Sequence, residues 1–347
     1  MLKAVLEYSA LHAKVSALRA RLLTKSDYEA MYMMNDVPSV VRYLKTHTNY
    51  QAILSSHDES SIHRSDFEKM VQDYLSIIYQ KLFKFTTGDN RRFFEYIFMR
   101  YEIEILKRIL RSLETHDDTV KEDELNPFFI KHSTVNYTKL IKTTTIHDFI
   151  VALSGSVYYN LLSPFLFNTE HLNTFSVEMT LDMYYFRTIQ KNIDKLLKLD
   201  SKQGIEYSMG SEIDMLNIIW IYRCKKYYEA PTEIIFSYII PYKRRLQKDI
   251  VKDLVKAKDM NEFYKIVREK TPYGELVDNL NEKFIEENYD KLTYKISDSL
   301  GRRFPYSLAA MTAYNHMLEI ESANIITLIE GVRYHLDKAE LRTHLRF

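Results

Sequence analysis

The tripeptide Glu-Ile-acid occurs three times in this chain, at residues 102–104, 212–214 and 319–321, about 110 residues apart. Composition alone predicts fewer than one such string, and a chain that repeats itself must fold as copies of one unit. A second box strengthens the period. Residues 37–50 ("VPSVVRYLKTHTNY"), 146–159 ("IHDFIVALSGSVYY") and 260–273 ("MNEFYKIVREKTPY") align without gaps. Each opens on an aliphatic residue (Val37, Ile146, Met260), with Ser39, Asp148 or Glu262 two positions later. Apolar residues follow at Val40, Phe149 and Phe263, then at Leu44, Leu153 and Val267, and Tyr50, Tyr159 or Tyr273 closes the box. Spacings of three and four are the helical period, and an early Ser or acid suits a helix's first turn. From the box opening to its Glu the distance is 65 residues (Val37 to Glu102), 66 (Ile146 to Glu212) and 59 (Met260 to Glu319). An acid- and Tyr-bearing helical stretch lies between, and the copies are placed at 1–117, 118–229 and 230–347.

Scarcity of turn residues sets the class of each copy. Seven Gly and seven Pro in 347 residues fall well below the usual levels of about 7% and 5%. Tight hairpins and Gly-rich phosphate loops need left-handed positions that this chain mostly lacks. The expected fold is all-α, and several helices per period favour three similar bundles over a solenoid of short units. Residues 149–169 carry no charge, but Ser154, Gly155, Asn160 and Pro164 interrupt them, which reads as a buried core helix plus turn.

Forty-eight basic residues against 47 acidic ones argue against a surface built for nucleic acid, so no nucleic-acid partner is expected. The single Cys224 excludes an intrachain disulfide and reads as a small buried hydrophobe. Lys3, Glu7, Lys14, Arg19 and Arg21 break up the N-terminal stretch, so no signal peptide is expected. No phosphate-binding loop, dinucleotide fingerprint or H-E-x-x-H string is present, and His57 and His63 read as loop residues. No catalytic, cofactor-binding or metal-ligating residue is therefore expected. The 45 Tyr and Phe recur at helical spacing, which is a core pattern and not a base-stacking platform.

Four residues after each signature Ile stands Lys107, Asn217 or Asn324. That places a polar group on the apolar stripe of its helix, with Glu104, Asp214 or Glu321 one turn back and within reach. Two readings stay open. In one, acid and amide, or acid and Lys, form a buried structural contact or share a backbone group of a neighbouring helix. In the other, the three helices converge on an axis and present Glu102, Glu212 and Glu319 to a partner.

The segments "FFEYIFMRYEIEILKRILR" (93–111), "SEIDMLNIIWIYRCKKYY" (211–228) and "PYSLAAMTAYNHMLEIESANIITLIEGVRY" (305–334) resemble the C/d subunit family of V-type (A/V-type) rotary ATPases, in its prokaryotic form. "YSALHAKVSALRARLL" (8–23) is similar to that family's opening helix, and Ala323 departs from it where a charged residue usually precedes Asn324. The resemblance implies a funnel of three helical domains around a pseudo-threefold axis, monomeric in isolation and peripheral on the cytoplasmic face of the membrane. It implies a non-catalytic rotor subunit without cofactor, seated between the central-stalk subunits and the proteolipid rotor ring. The charge-free stretch, with Leu162 and Phe165, is the expected apolar rim for that ring. A helical protein-binding scaffold outside any rotary machine is the alternative that the residues alone leave open.

Overall fold

Caps written into the boxes start three helices at equivalent places. Asp36, Thr145 and Asp259 each accept a hydrogen bond from a backbone N–H three residues on, at Ser39, Asp148 and Glu262, over 2.8, 3.0 and 2.9 Å. Such N-caps contribute about 1 kcal/mol each. The helices they open begin at Val37, Ile146 and Met260, the aligned first residues of the boxes. The computed structural model describes residues 2–59, 62–115, 120–121, 125, 127–167, 173–241, 244–278 and 284–346, and it is helical with no strand among them.

The chain divides into two units, residues 86–197 and residues 1–85 with 198–347. In the first, α6 (Gly88–Thr115) carries the first signature and packs on α11 (Thr174–Leu196). Lys107 meets Asp182, Arg111 meets Glu178 and Glu114 meets Thr174, so rising numbers on one helix meet falling numbers on the other: the pair is antiparallel. Between them lie α7 (Pro127–His132), α8 (Tyr137–Leu140), α9 (Ile146–Ala152), α10 (Val157–Leu162) and a 3-10 turn, Ser163–Leu166. Over its described residues, 149–167, the charge-free stretch is therefore two short helices and a turn, and residues 168–169 lie outside the described residues. Phe149, Ile150, Leu153, Tyr158 and Leu162 are its core side. No helix among the described residues is long and apolar enough to cross a membrane.

In the other unit, α12 (Leu199–Lys226) bears the second signature and α17 (Leu308–Arg333) the third. The third box, with α13 (Thr232–Ser237), α14 (Lys248–Lys256) and α15 (Met260–Lys270), packs on α12. The 3-10 turn Gly274–Val277 packs on α15 and on α16 (Phe284–Arg303), and α16 packs on both signature helices. The first box packs on α17. Tyr28, Val40, Leu44, Tyr50 and Phe67 share one core with Ile325, Leu328, Val332 and Leu341. The segments involved are α2 (Lys25–Tyr32), α3 (Val37–His47), α4 (Gln51–Leu54) and α5 (Arg64–Phe83) at one end of the chain, and α17 and α18 (Lys338–His344) at the other. α1 (Leu2–Arg19) also packs on α17.

Each signature helix is thus closed by the box that follows it in the period, and the last is closed by the first box. Of the sequence boundaries, 117/118 lies outside the described residues, and 229/230 falls in the link between α12 and α13. His335 (φ 52°) directly follows the C-cap Tyr334 of α17, and the Leu336 N–H returns to the Gly331 carbonyl over 2.9 Å. Past α12, Glu229 (φ 44°) lies two residues beyond the C-cap Tyr227, and the Ala230 N–H returns to the Cys224 carbonyl over 3.0 Å. Where α12 approaches α17, a Cβ on Gly204 would sit 2.4 Å from that of Ala309, so only Gly allows this crossing.

Candidate functional site

The polar signature positions lie on the buried stripe in all three helices. Lys107, Asn217 and Asn324 are all buried. A buried polar group left without a partner costs about 1–3 kcal/mol, so each must be answered. Asn217 clamps a single residue: its amide nitrogen donates to the Ile240 carbonyl over 3.2 Å, and Ile240 N–H donates to its oxygen over 2.9 Å. Asn324 treats Arg346 identically, at 3.2 and 2.8 Å. Both targets lie on non-helical backbone, 23 and 22 residues further on, where N–H and C=O have no helical partner.

Lys107 acts differently. Its ammonium donates to Glu104 at 3.0 Å on its own helix and to Asp182 on α11 at 3.1 and 3.3 Å. Burial works against the ammonium, but Asp182 and Glu104 outweigh it and hold its pKa above the ordinary lysine value. Burial pushes the Asp182 carboxyl up to about 6, against the pull of Lys107.

The acids one turn back also differ between copies. Asp214 accepts from the Arg245 and Leu246 N–H groups at 2.9 and 3.1 Å and from the Tyr273 hydroxyl at 2.9 Å. Glu321 accepts from Leu23 N–H and, over 3.0 Å, from the Tyr50 hydroxyl. Burial raises the pKa of Asp214, and it pushes Glu321 up to about 7. Tyr50 and Tyr273 are the closing residues of the first and third boxes, so box and signature are joined through the same pair of groups.

In the second box the gapless alignment slips by one. Thr48 and Thr271 return their hydroxyls to the Leu44 and Val267 carbonyls, at 2.6 and 2.7 Å, and the buried Tyr follows two residues later. Ser156 makes the same bond to the equivalent Leu153 carbonyl over 2.7 Å, one residue earlier, by way of Gly155 at φ 87°. The buried tyrosine becomes Tyr158, and Tyr159 is half-buried. Tyr158 and Tyr137 face Glu102: burial first, then that carboxylate, raises both phenols far above the ordinary range.

The three signature glutamates therefore occupy different settings. Glu212 is 5% exposed and accepts from the Tyr289 hydroxyl of α16 over 3.2 Å. Glu319 is half-buried and accepts from the Tyr79 hydroxyl of α5. Glu102 is half-buried on a cleft of about 540 Å³ in the unit 86–197, beside Arg92, Glu95, Phe129 and Lys195. The rim candidates separate as well. Leu162 is fully buried and packs in the core of its unit, which corrects its expected place on a surface. Phe165 is half-buried, and Phe167 is 90% exposed. Asp182 and the Ile240 and Arg346 backbones escaped the sequence reading. Two acids one turn apart on α11, Glu178 and Asp182, were the available sign of the first. Among the described residues no group of three or more His, Cys, Asp or Glu is placed to hold a metal ion.

These joints fix boxes to helices; none aligns a nucleophile with a base. Residues 11–344 match the family described as the ATP synthase (C/AC39) subunit. Among known proteins, the C subunit of the A-type ATP synthase of Methanosphaera stadtmanae is 21% identical over 337 residues, 94% of this chain and 84% of the relative. The equivalent A-type proteins of Thermococcus kodakarensis and Methanosarcina barkeri are 24% and 23% identical, spanning 88% and 96% of this chain and 81% and 86% of their own length. Since the family match runs nearly from end to end, the chain belongs to the ATP synthase (C/AC39) subunit family.

Proposed function

We propose that this chain is a non-catalytic central-rotor subunit of an A/V-type rotary ATPase, a socket coupling the central stalk to the membrane proteolipid ring. The observation that carries this reading is the family match over residues 11–344. Three modules, each a signature helix closed by the next box, form a funnel with pseudo-threefold symmetry. The cyclic pairing supports that arrangement, because a closed ring of three requires the last helix to be completed by the first box, as α17 is.

A socket must transmit torque without bending. Close-packed helices have low compressibility, and buried joints such as Asn217–Ile240 oppose sliding of box on helix. The chain sits peripherally on the cytoplasmic face as a monomer, with a polar surface toward the stalk and an apolar rim toward the ring. Glu102, on its open cleft, is the signature acid that faces the partner. Glu212 and Glu319 keep the interior of their modules, and Phe165 with Phe167 forms the rim.

Binding of the purified full-length chain to the stalk subunits and to the detergent-solubilised ring tests the reading. Both associations are expected, with no ATP turnover by the chain alone; absence of both associations would overturn it. Phe165→Asp with Phe167→Asp is expected to weaken ring association and leave stalk association intact, and Glu102→Lys the reverse.

A further inference from the structure

A concave site lies within the unit formed by residues 1–85 and 198–347, where α1, the turn at 48–55 and α5 meet. Its volume is about 420 Å³, and Lys14, Arg21 and Lys81 line it with no acidic side chain among the described lining residues. None of the three cations has an ion-pair partner among the described residues. Lys14 is moreover half-buried. An anion in the cleft would meet three cations and no carboxylate.

Uncharged donors complete the lining. Gln51, the first residue of α4, and Ser55, its C-cap, line the cleft, and neither side chain makes a hydrogen bond among the described residues. Tyr74 forms a wall from α5. Burial and the Glu321 carboxylate push its phenol up to about 12, so it carries its proton at neutral pH. The Asn49 amide holds the Arg21 carbonyl at 2.8 Å, which ties the end of α1 to the turn. Three cations converging on a concave space, with hydroxyl and amide donors between them, match the several oxygens of linked phosphates. The volume falls in the range of about 300–1,000 Å³ typical of small-molecule sites. A membrane surface or an acidic helix would instead meet a flat or convex array of cations.

We propose that this cleft binds a soluble small molecule carrying two or more linked phosphate groups, held by Lys14, Arg21 and Lys81. The ligand bridges α1, the 48–55 turn and α5, and stabilises that part of the fold by mass action. The inference is independent of the rotary reading, since it rests on the cleft alone.

Calorimetric titration of the full-length chain with tripolyphosphate, ATP and orthophosphate tests it, alongside sedimentation with phosphatidylglycerol vesicles and titration with a poly-glutamate peptide. Tripolyphosphate and ATP are expected to bind one per chain, about ten-fold or more tighter than orthophosphate, and more weakly as salt rises from about 50 to about 300 mM. Arg21→Gln and Lys81→Gln each lose about five-fold or more, the effect of removing one charge-assisted contact, whereas Lys81→Arg retains binding. Lys248→Gln with Lys252→Gln, on α14, changes nothing. Absence of binding by either polyphosphate would overturn the proposal, as would unaltered affinity in the two Gln variants. Tighter binding to vesicles or to the peptide would overturn it too, in favour of a membrane or protein partner.

Discussion

Lys107 and Asn217 occupy the same position on equivalent helices and are both buried, yet they solve the problem in opposite ways. Asn217 reads a backbone, taking both polar groups of Ile240. Lys107 reads a side chain, Asp182, across an antiparallel helix pair. The partner decides the difference. Twenty-two or twenty-three residues after Lys107 the chain lies in α7, where the Ile130 carbonyl already accepts from Ser133 N–H over 3.1 Å. A helical backbone satisfies itself and offers an amide nothing to clamp, so an ion must be met by an ion. Repetition therefore preserves the position and its burial, while local backbone state selects the chemistry.

Exchanging the two solutions is the strongest way to break this comparison. Lys107→Asn keeps a polar group of the Asn217 type but leaves Asp182 buried without its cation. Removing one partner of a buried pair costs roughly 3–5 kcal/mol. A destabilisation of that order is expected in chemical denaturation, and Lys107→Met with Asp182→Leu should recover most of it. A near-neutral Lys107→Asn would show that an amide serves as well beside a helix, and the distinction would fail.

Glu321 sharpens the comparison through pH. Its pKa is raised from 4.5 to about 7 by burial, while Leu23 N–H and the Tyr50 hydroxyl hold the anion and Asp27 opposes it. A carboxyl raised on folding binds its proton more tightly folded than unfolded. Its contribution is complete below pH 4.5 and is lost as pH rises through about 7, at most about 3 kcal/mol over that window. Melting measured from pH 4.5 to 8 should show the decline, and Glu321→Gln should flatten it. The slope remaining in the variant should lie below pH 6, where Asp182, raised from 3.8 to about 6, acts in the same direction. An unchanged slope in Glu321→Gln would assign the pH dependence elsewhere.

The two amide clamps are alike in geometry but not in context. Asn217→Ala strands both polar groups of Ile240, a buried residue in mid-chain, and should cost about 2 kcal/mol. Asn324→Ala releases Arg346, which is only half-buried and can turn its N–H and C=O to water, so about 1 kcal/mol is expected. Hydrogen exchange should separate them: Asn217→Ala loosens Ile240 and residues 244–246 together with α15, and Asn324→Ala loosens α18 alone. Equal global losses would mean that the C-terminal segment is as firmly built in as the middle one.

Much of this was legible in the residues. The aligned openings at Val37, Ile146 and Met260 are the observed helix starts, because capping is a local property of Asp36, Thr145 and Asp259. The burial of Lys107, Asn217 and Asn324 follows from stripe spacing. Which box closes on which helix was not legible, since a period reads the same in any frame and only long-range packing, as of Tyr50 on Glu321, selects one. The slip from Tyr159 to Tyr158 was hidden for a related reason. A hydroxyl can reach the same carbonyl from three or four residues on, and the alignment does not register the choice between Ser156 and Thr48.

The sequence expectation for Lys107 was its neighbour Glu104, one turn back, and that contact exists at 3.0 Å. It is the lesser of the two. The Glu104 side chain is 54% exposed against 16% for Asp182, so water screens one carboxylate and not the other. Exposed pairs of this spacing contribute about 0–1 kcal/mol. Glu104→Gln should therefore lower stability by less than about 1 kcal/mol and lose its effect as salt rises. Asp182→Asn strands the buried ammonium and should cost several times more. If the two losses came out equal, the lock in α6 would be a property of a single helix, and its difference from the Asn217 clamp would no longer depend on what packs against it.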